Sequence, residues 1–270
     1  MSRKTKRSKK QNRQVSQQWL SVWFQQMNSQ LLGRNFEGAI STCQRLLGIL
    51  PKNAPERAAV LANLGTSNAM LQNYPESYTF FTEALALEPD AADLWYGRGI
   101  ASRHTGRAGR SLREYERAVE LEGSGPSARH YARELKFSRK LVQESLKMRG
   151  PNFTLDQLIE QEEHFQQGLR MMEAQKWKEA EQEFRRVIAM GDCLPQPWGN
   201  LGMSMLIQGR YDEAEAALKR ALEIEPKYEF AKHNLALLPE IRQNGLPETG
   251  FIVDPYGNRA IEQKLTSHRK

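Results

Sequence analysis

Cysteine is scarce: Cys43 and Cys193 are the only two, far apart, with no CxxC pair and no metal-ligand spacing around either. That excludes a disulfide framework and a cysteine zinc site, and points to a reduced, cytoplasmic chain. No run of 18 apolar residues occurs, so no segment is expected to span a membrane as a helix. A P-loop and an HExxH motif are both missing. Glu160 and His164 lie one helical turn apart, but no second pair must face them, and a surface pair is the expected reading. Asn152-Phe153-Thr154 matches a glycosylation acceptor and is read as a helix cap. No cofactor and no metal are expected, and the chain is not read as an enzyme.

The charge is uneven. Arg3, Lys4, Lys6, Arg7, Lys9, Lys10 and Arg13 are seven of the 39 basic residues, with no acid among residues 1–13. The remaining 32 match the 32 acidic residues, so the body is formally neutral. The stretch that follows, Gln11–Gln18, is polar rather than apolar, so a secretory signal is not expected. Four readings of the tail stand: a solvated segment, a contact to nucleic acid or a ribosome, a contact to an anionic membrane, and a nuclear-import signal. Without interleaved aromatics, it would meet phosphate through charge alone.

A pattern recurs along the chain. The segment WGNLGMSMLIQGRYDEAEAALKRALEIEP carries Trp198, Leu201-Gly202, Gly209, Tyr211, Ala214, Ala221 and Pro226. Matching sets are Leu64-Gly65, Tyr74, Ser77, Phe81, Ala84 and Pro89; Trp95, Gly99, Gly106, Ser111, Tyr115 and Ala118; and Gly168, Trp177, Ala180, Phe184 and Val187. A weaker first copy keeps Trp23, Phe36, Ala39, Leu46 and Pro51, with Met27 in the glycine slot. The small residues Ala39, Ser77, Ser111, Ala180 and Ala214 are separated by 38, 34, 69 and 34 residues. A period of this size signals an array of stacked units.

The pattern resembles the tetratricopeptide repeat over roughly residues 20–242. The resemblance implies an all-α fold, a superhelix of antiparallel helix pairs with five to six repeats plus a capping helix, Glu229–Asn244. Small residues would sit where paired helices approach, and proline would end each second helix. Residues 127–148 read as one long helix closed by Gly150-Pro151, since proline cannot continue a helix. Thr154 and Gln157 form a capping box for the next. The expected organisation is a basic tail (1–18), an N-terminal module of three repeats plus a closing helix (19–148), a linker (149–153), a C-terminal module of two repeats plus the capping helix (154–244) and a tail (245–270). A continuous superhelix with an irregular fourth repeat is the rival arrangement.

The resemblance implies a scaffold that binds another protein or peptide along its inner helices. By helical position, the C-terminal module offers Phe165, Leu169, Met172, Asn200, Met203, Leu206, Ile207, Phe230, His233 and Asn234. The N-terminal module offers Phe24, Asn28, Leu31, Ala62, Asn63, Thr66, Tyr96 and Ile100. Spacings of three and four place each set on one helix face. Co-chaperone members of the family grip a terminal carboxylate with Lys/Asn/Asn/Lys/Arg. Here Asn28 and Asn63 fill the two Asn slots, but Phe24, Asp93 and Gly97 fill the cationic ones, so acidic chaperone tails are not expected ligands. The apolar, Met-rich C-terminal set favours an apolar peptide or helix. Against that, each of these residues has a packing role open to it, and Phe251, Ile252, Val253 and Tyr256 offer a segment able to fold back over the groove. Trp19 and Trp23 share a helix face; Trp23 falls in the repeat's own Trp slot, which favours core packing over a membrane anchor. Self-association through the solenoid ends is a third reading of the function, beside the scaffold and the nucleic-acid-associated factor.

Overall fold

In the computed structural model, residues 19–246 are described. They are helical almost throughout. α1 covers residues 19–32. It is followed by α2 (Phe36–Ile49), α3 (Glu56–Met70), α4 (Tyr74–Leu87), α5 (Ala92–His104), α6 (Ala108–Glu122) and α7 (Ala128–Arg149). Then come α8 (Leu155–Glu173), α9 (Trp177–Met190), α10 (Pro195–Ile207), α11 (Tyr211–Ile224) and α12 (Glu229–Asn244). The long helix, the helix after Gly150-Pro151 and the capping helix all form where the sequence places them. Phe251, Ile252, Val253, Tyr256 and the basic residues Arg3 to Arg13 lie outside the described residues.

Local chemistry sets the helix ends. Asn35 caps α2, its Oδ1 accepting from the Gly38 N–H at 3.0 Å. Thr154 and Gln157 close the capping box of α8 reciprocally. Each satisfies amides that the first helical turn leaves unpaired. Prolines open α4 and α10 in the first turn, where a missing N–H costs nothing.

The turn inside each helix pair is the same device five times. Arg34, Gln72, Gly106, Gln175 and Gly209 adopt left-handed backbone, with φ of 57°, 64°, 78°, 57° and 76°. Each precedes its small residue by five positions, so the turns keep the 38, 34, 69 and 34 spacing seen in the sequence. The next amide reaches back five residues: Asn35 to Gln30, Asn73 to Asn68, Arg107 to Ser102, Lys176 to Met171 and Arg210 to Met205, at 2.8–3.0 Å. These bonds satisfy carbonyls that the ending helix would leave bare.

The described residues form two compact units. One comprises residues 19–101 and 116–128; the other comprises 102–115 and 129–246. In the first unit, Met27, Cys43, Leu46, Leu50, Val60 and Leu64 pack together. Leu61, Phe81, Ala84, Leu85 and Leu94 form a second cluster. In the second unit, one larger core joins α8 to α12 through Phe184, Leu201, Leu206, Leu218 and Ile241. Hydrogen bonds in this unit span the 149–153 segment, since Gln166 Nε2 donates to the Thr105 carbonyl at 2.7 Å.

Ala39, Ser77, Ser111, Ala180 and Ala214 are fully buried. Glycines on the first helix of a pair play the matching part. A Cβ on Gly65 would lie 2.9 Å from the Phe81 ring, and one on Gly97 would lie 2.4 Å from it. Gly168 stands the same way to Phe184, at 2.7 Å. The Phe81 and Phe184 rings fill the space that a side chain on the first helix of the same pair would need, and Phe81 does the same for the first helix of the next pair at Gly97.

Candidate binding surfaces

Most of the C-terminal set is buried in the core. Phe165, Leu169, Met172, Met203, Leu206 and Phe230 are all 8% exposed or less and belong to the core of the second unit. Phe165 packs edge-on against Phe184, with ring centroids 5.7 Å apart. Asn200 and Asn234 are wholly buried. The Asn234 amide donates to the Phe230 carbonyl at 3.0 Å, while the Asn200 side chain has no hydrogen-bond partner among the described residues. Ile207 is half-buried against the core and His233 is exposed. The burial has a plain cause. Helical spacing defines a face, but a helix inside a stack has packed neighbours on more than one side, and burial satisfies the same period.

The N-terminal set is the more accessible one. On α1, Phe24 leans on the core and is half-buried, Leu31 is half-buried and Asn28 is exposed. On α3, Thr66 is exposed, whereas Asn63 is half-buried and donates to the Ala59 carbonyl at 2.9 Å. Ala62 packs beside the second cluster. On α5, Tyr96 and Ile100 are half-buried. The slots that would hold cations are unsuited to them. Asp93 is acidic, and the Gly97 position is filled by the Phe81 ring. Trp23 packs on the core with Arg45 5.7 Å above its ring, whereas Trp19 is 56% exposed with its ring 5.4 Å from Trp23.

Sequence reasoning passed over a polar cluster on α8 in the second unit. Glu162 is buried, and both its carboxylate oxygens accept from the Gly109 N–H, at 3.0 and 3.1 Å. The amides of Ala108 and Arg110 also support it. A carboxylate of α8 thus sits on the positive end of α6. Burial pushes its pKa up to about 7, against the pull of those amides and of Arg149. Arg149 is itself pushed below its ordinary range by burial. Its Nε donates to Gln161 Oε1 at 2.6 Å, and its Nη1 to the Ser145 carbonyl at 2.8 Å. Arg149, Gln161, Glu162, Phe165, Leu194 and Pro197 help line a cleft of about 330 Å³, open mouth included. The available signal was three polar residues, Gln161, Glu162 and Gln166, interleaved with the apolar residues Leu158, Phe165 and Leu169.

His164 turns to Glu183, its Nδ1 2.7 Å from the carboxylate. Among the described residues no group of His, Cys, Asp and Glu could hold a metal ion, and no helix is long and apolar enough to cross a membrane.

Helix pairs joined by a repeated left-handed turn, with a small residue at each close approach, define an α-α repeat protein. Family models described as tetratricopeptide repeat match residues 71–129 and 195–228. The chain carries tetratricopeptide repeats. Such repeats are generally protein-interaction modules and typically non-catalytic. No curated protein matches the chain. Similar solved structures include the TPR2AB domain of yeast Sti1 in complex with an Hsp90 peptide. It is 14% identical, covers 82% of this chain and 83% of its own, and has a TM-score of 0.39. The MamA protein is 16% identical over 77% and 93% of the two chains, with a TM-score of 0.34. The P58(IPK) TPR domain is 10% identical over 83% and 65%, with a TM-score of 0.45.

Proposed function

We propose that this protein is a non-catalytic scaffold that holds an extended or helical segment of another protein against α1, α3 and α5. The observation that carries this reading is the accessible row Phe24, Asn28, Asn63, Thr66, Tyr96 and Ile100. It alternates apolar surface with amide and hydroxyl groups. The apolar members would contact ligand side chains, and the polar ones would bond its backbone. With Asp93 and Gly97 in place of cations, the fitting ligand is apolar or neutral rather than an acidic terminus. The two free cysteines, Cys43 and Cys193, accord with work in a reducing cytoplasm.

A test is selection of binding peptides from a random library on the full chain, followed by calorimetry. Thr66→Arg and Tyr96→Ala are expected to weaken the selected peptides at least tenfold. Peptides that bind both variants as tightly as wild type would remove the site from α3 and α5. Failure to select any peptide would count against the scaffold reading itself.

A further inference from the structure

We infer that the exposed face of α7 binds the phosphate backbone of a nucleic acid. This goes beyond the peptide scaffold and rests on other residues, all within the second unit.

Arg129, Arg133, Lys136, Lys140 and Lys147 are all exposed. At 100° per residue they fall within an arc of roughly 60°, and at 1.5 Å per residue they run for about 27 Å along the helix. Opposite them lie the buried residues Tyr131, Leu135, Ser138, Leu141 and Ser145. The basic stripe is therefore the face turned away from the packed side. The helix has two acids: Glu134, half-buried away from the stripe, and Glu144, exposed at its border.

An ordinary solvated face would not look like this. Several exposed cations on other helices meet an acid three or four positions away on their own helix, whereas Lys176, Lys178 and Lys227 stand singly, without a run of like charge. Arg117 pairs with Glu120, Arg186 with Glu183, Arg210 with Glu213, Arg220 with Glu223 and Lys232 with Glu229. On α7, Arg133 approaches Glu134 at 3.5 Å. Arg129, Lys136, Lys140 and Lys147 have no carboxylate within ion-pair distance among the described residues. Like charges three and four residues apart repel, and cations in the first turns oppose the helix dipole. The first turn of α7 holds no acid to offset this. Local stability therefore does not account for the pattern, and a polyanion does.

The kind of polyanion follows from what the stripe lacks. Its arc carries no apolar side chain, so it has neither the wedge an interfacial membrane helix inserts nor the apolar centre of a protein interface. Protein–nucleic acid interfaces are strongly positive and need no such centre. Without an aromatic there is no platform for a base, so contact is to phosphate and independent of sequence. The seven cations of residues 3–13 are a second basic segment with the same chemistry.

The test is fluorescence anisotropy of the full chain with a labelled 30-nucleotide single-stranded RNA of mixed sequence, from 50 to 300 mM salt. Arg133→Glu/Lys136→Glu/Lys140→Glu is expected to weaken binding at least tenfold at 100 mM salt. Loss of three contacts should flatten the slope of log K against log salt by about 2. The charge-matched control Lys176→Glu/Lys178→Glu/Lys227→Glu is expected to lose less than threefold. Circular dichroism checks folding, and the triple alanine variant at residues 133, 136 and 140 serves if the glutamates unfold the helix. RNA binding unchanged in the folded α7 variant overturns the proposal. So does an equal loss in the control. Tighter α7-dependent binding to a polyglutamate peptide or to phosphatidylserine vesicles than to RNA would also overturn it, assigning the face to an acidic protein or a membrane.

Discussion

The carboxylate of Glu162 on α8 sits 3.0 Å from the backbone nitrogen of Gly109, capping α6 from a helix 53 residues further along the chain. Burial drives this group up to about 7 from an ordinary value of 4.5. Because the folded pKa is the higher one, the contribution of Glu162 is full below about pH 4.5 and is lost as pH rises through 7. Glu162→Gln removes the titration. Relative to that variant, wild type should lose stability on the order of 3 kcal/mol between pH 4.5 and pH 8. Urea unfolding of both proteins across that range checks this, and a difference that stays flat with pH would reject it.

Gly97 and Gly48 should respond in opposite senses to alanine. At Gly97 the new methyl would lie 2.4 Å from Phe81, a ring only 4% exposed. Overpacking of this kind costs about 1–3 kcal/mol. Gly48 lies within α2 and has nothing within 4 Å of where its Cβ would be. Gly48→Ala should raise stability by about 0.5–1 kcal/mol, since glycine is the poorer helix residue. Thermal unfolding of the two variants separates the cases.

At the left-handed turns, Gln72 and Gln175 hold φ of 64° and 57° with side chains that disfavour it. Glycine relieves about 1–2 kcal/mol of strain and returns part of that as freedom of the unfolded chain. Gln72→Gly and Gln175→Gly should each stabilise by roughly 0.5 kcal/mol. Gly209→Ala, at φ 76° with open space around it, should destabilise through backbone strain alone. Chemical denaturation of the three variants measures these shifts.

The two thiols should differ in reactivity. Cys43 is fully buried, and burial pushes its pKa up to about 12. Cys193 is half-buried and also raised by burial, with Arg149 pulling against it. Iodoacetamide at pH 7.5 should modify Cys193 slowly in the native protein and Cys43 only after unfolding. Peptide mapping of the alkylated chain reads this, and early modification of Cys43 would mean that the first unit opens readily.

The repeat was legible because its determinants are local and recur. Pro51, Pro89, Pro151 and Pro226 each stand two residues past the end of a helix, Thr154 and Gln157 cap a helix from three residues apart, and the small residues at 39, 77, 111, 180 and 214 mark one approach each. The same spacing left Phe165, Leu169, Met203 and Phe230 undecided between groove and core, because both fates obey one helical period. Glu162 was illegible for a different reason: nothing near it in sequence announces that its partner is the amide of Gly109.

The sequence by itself determined the α-helical class, the register of the helix pairs and the position of most breaks, since these follow from the conformational limits of single residues and near neighbours. Only the tertiary structure decided which side of each inner helix meets another helix, which polar groups are buried with a distant partner, and which charges on α7 are left facing outward. Those outcomes depend on packing between segments remote in the chain, and packing is a property of the assembled stack rather than of any one repeat.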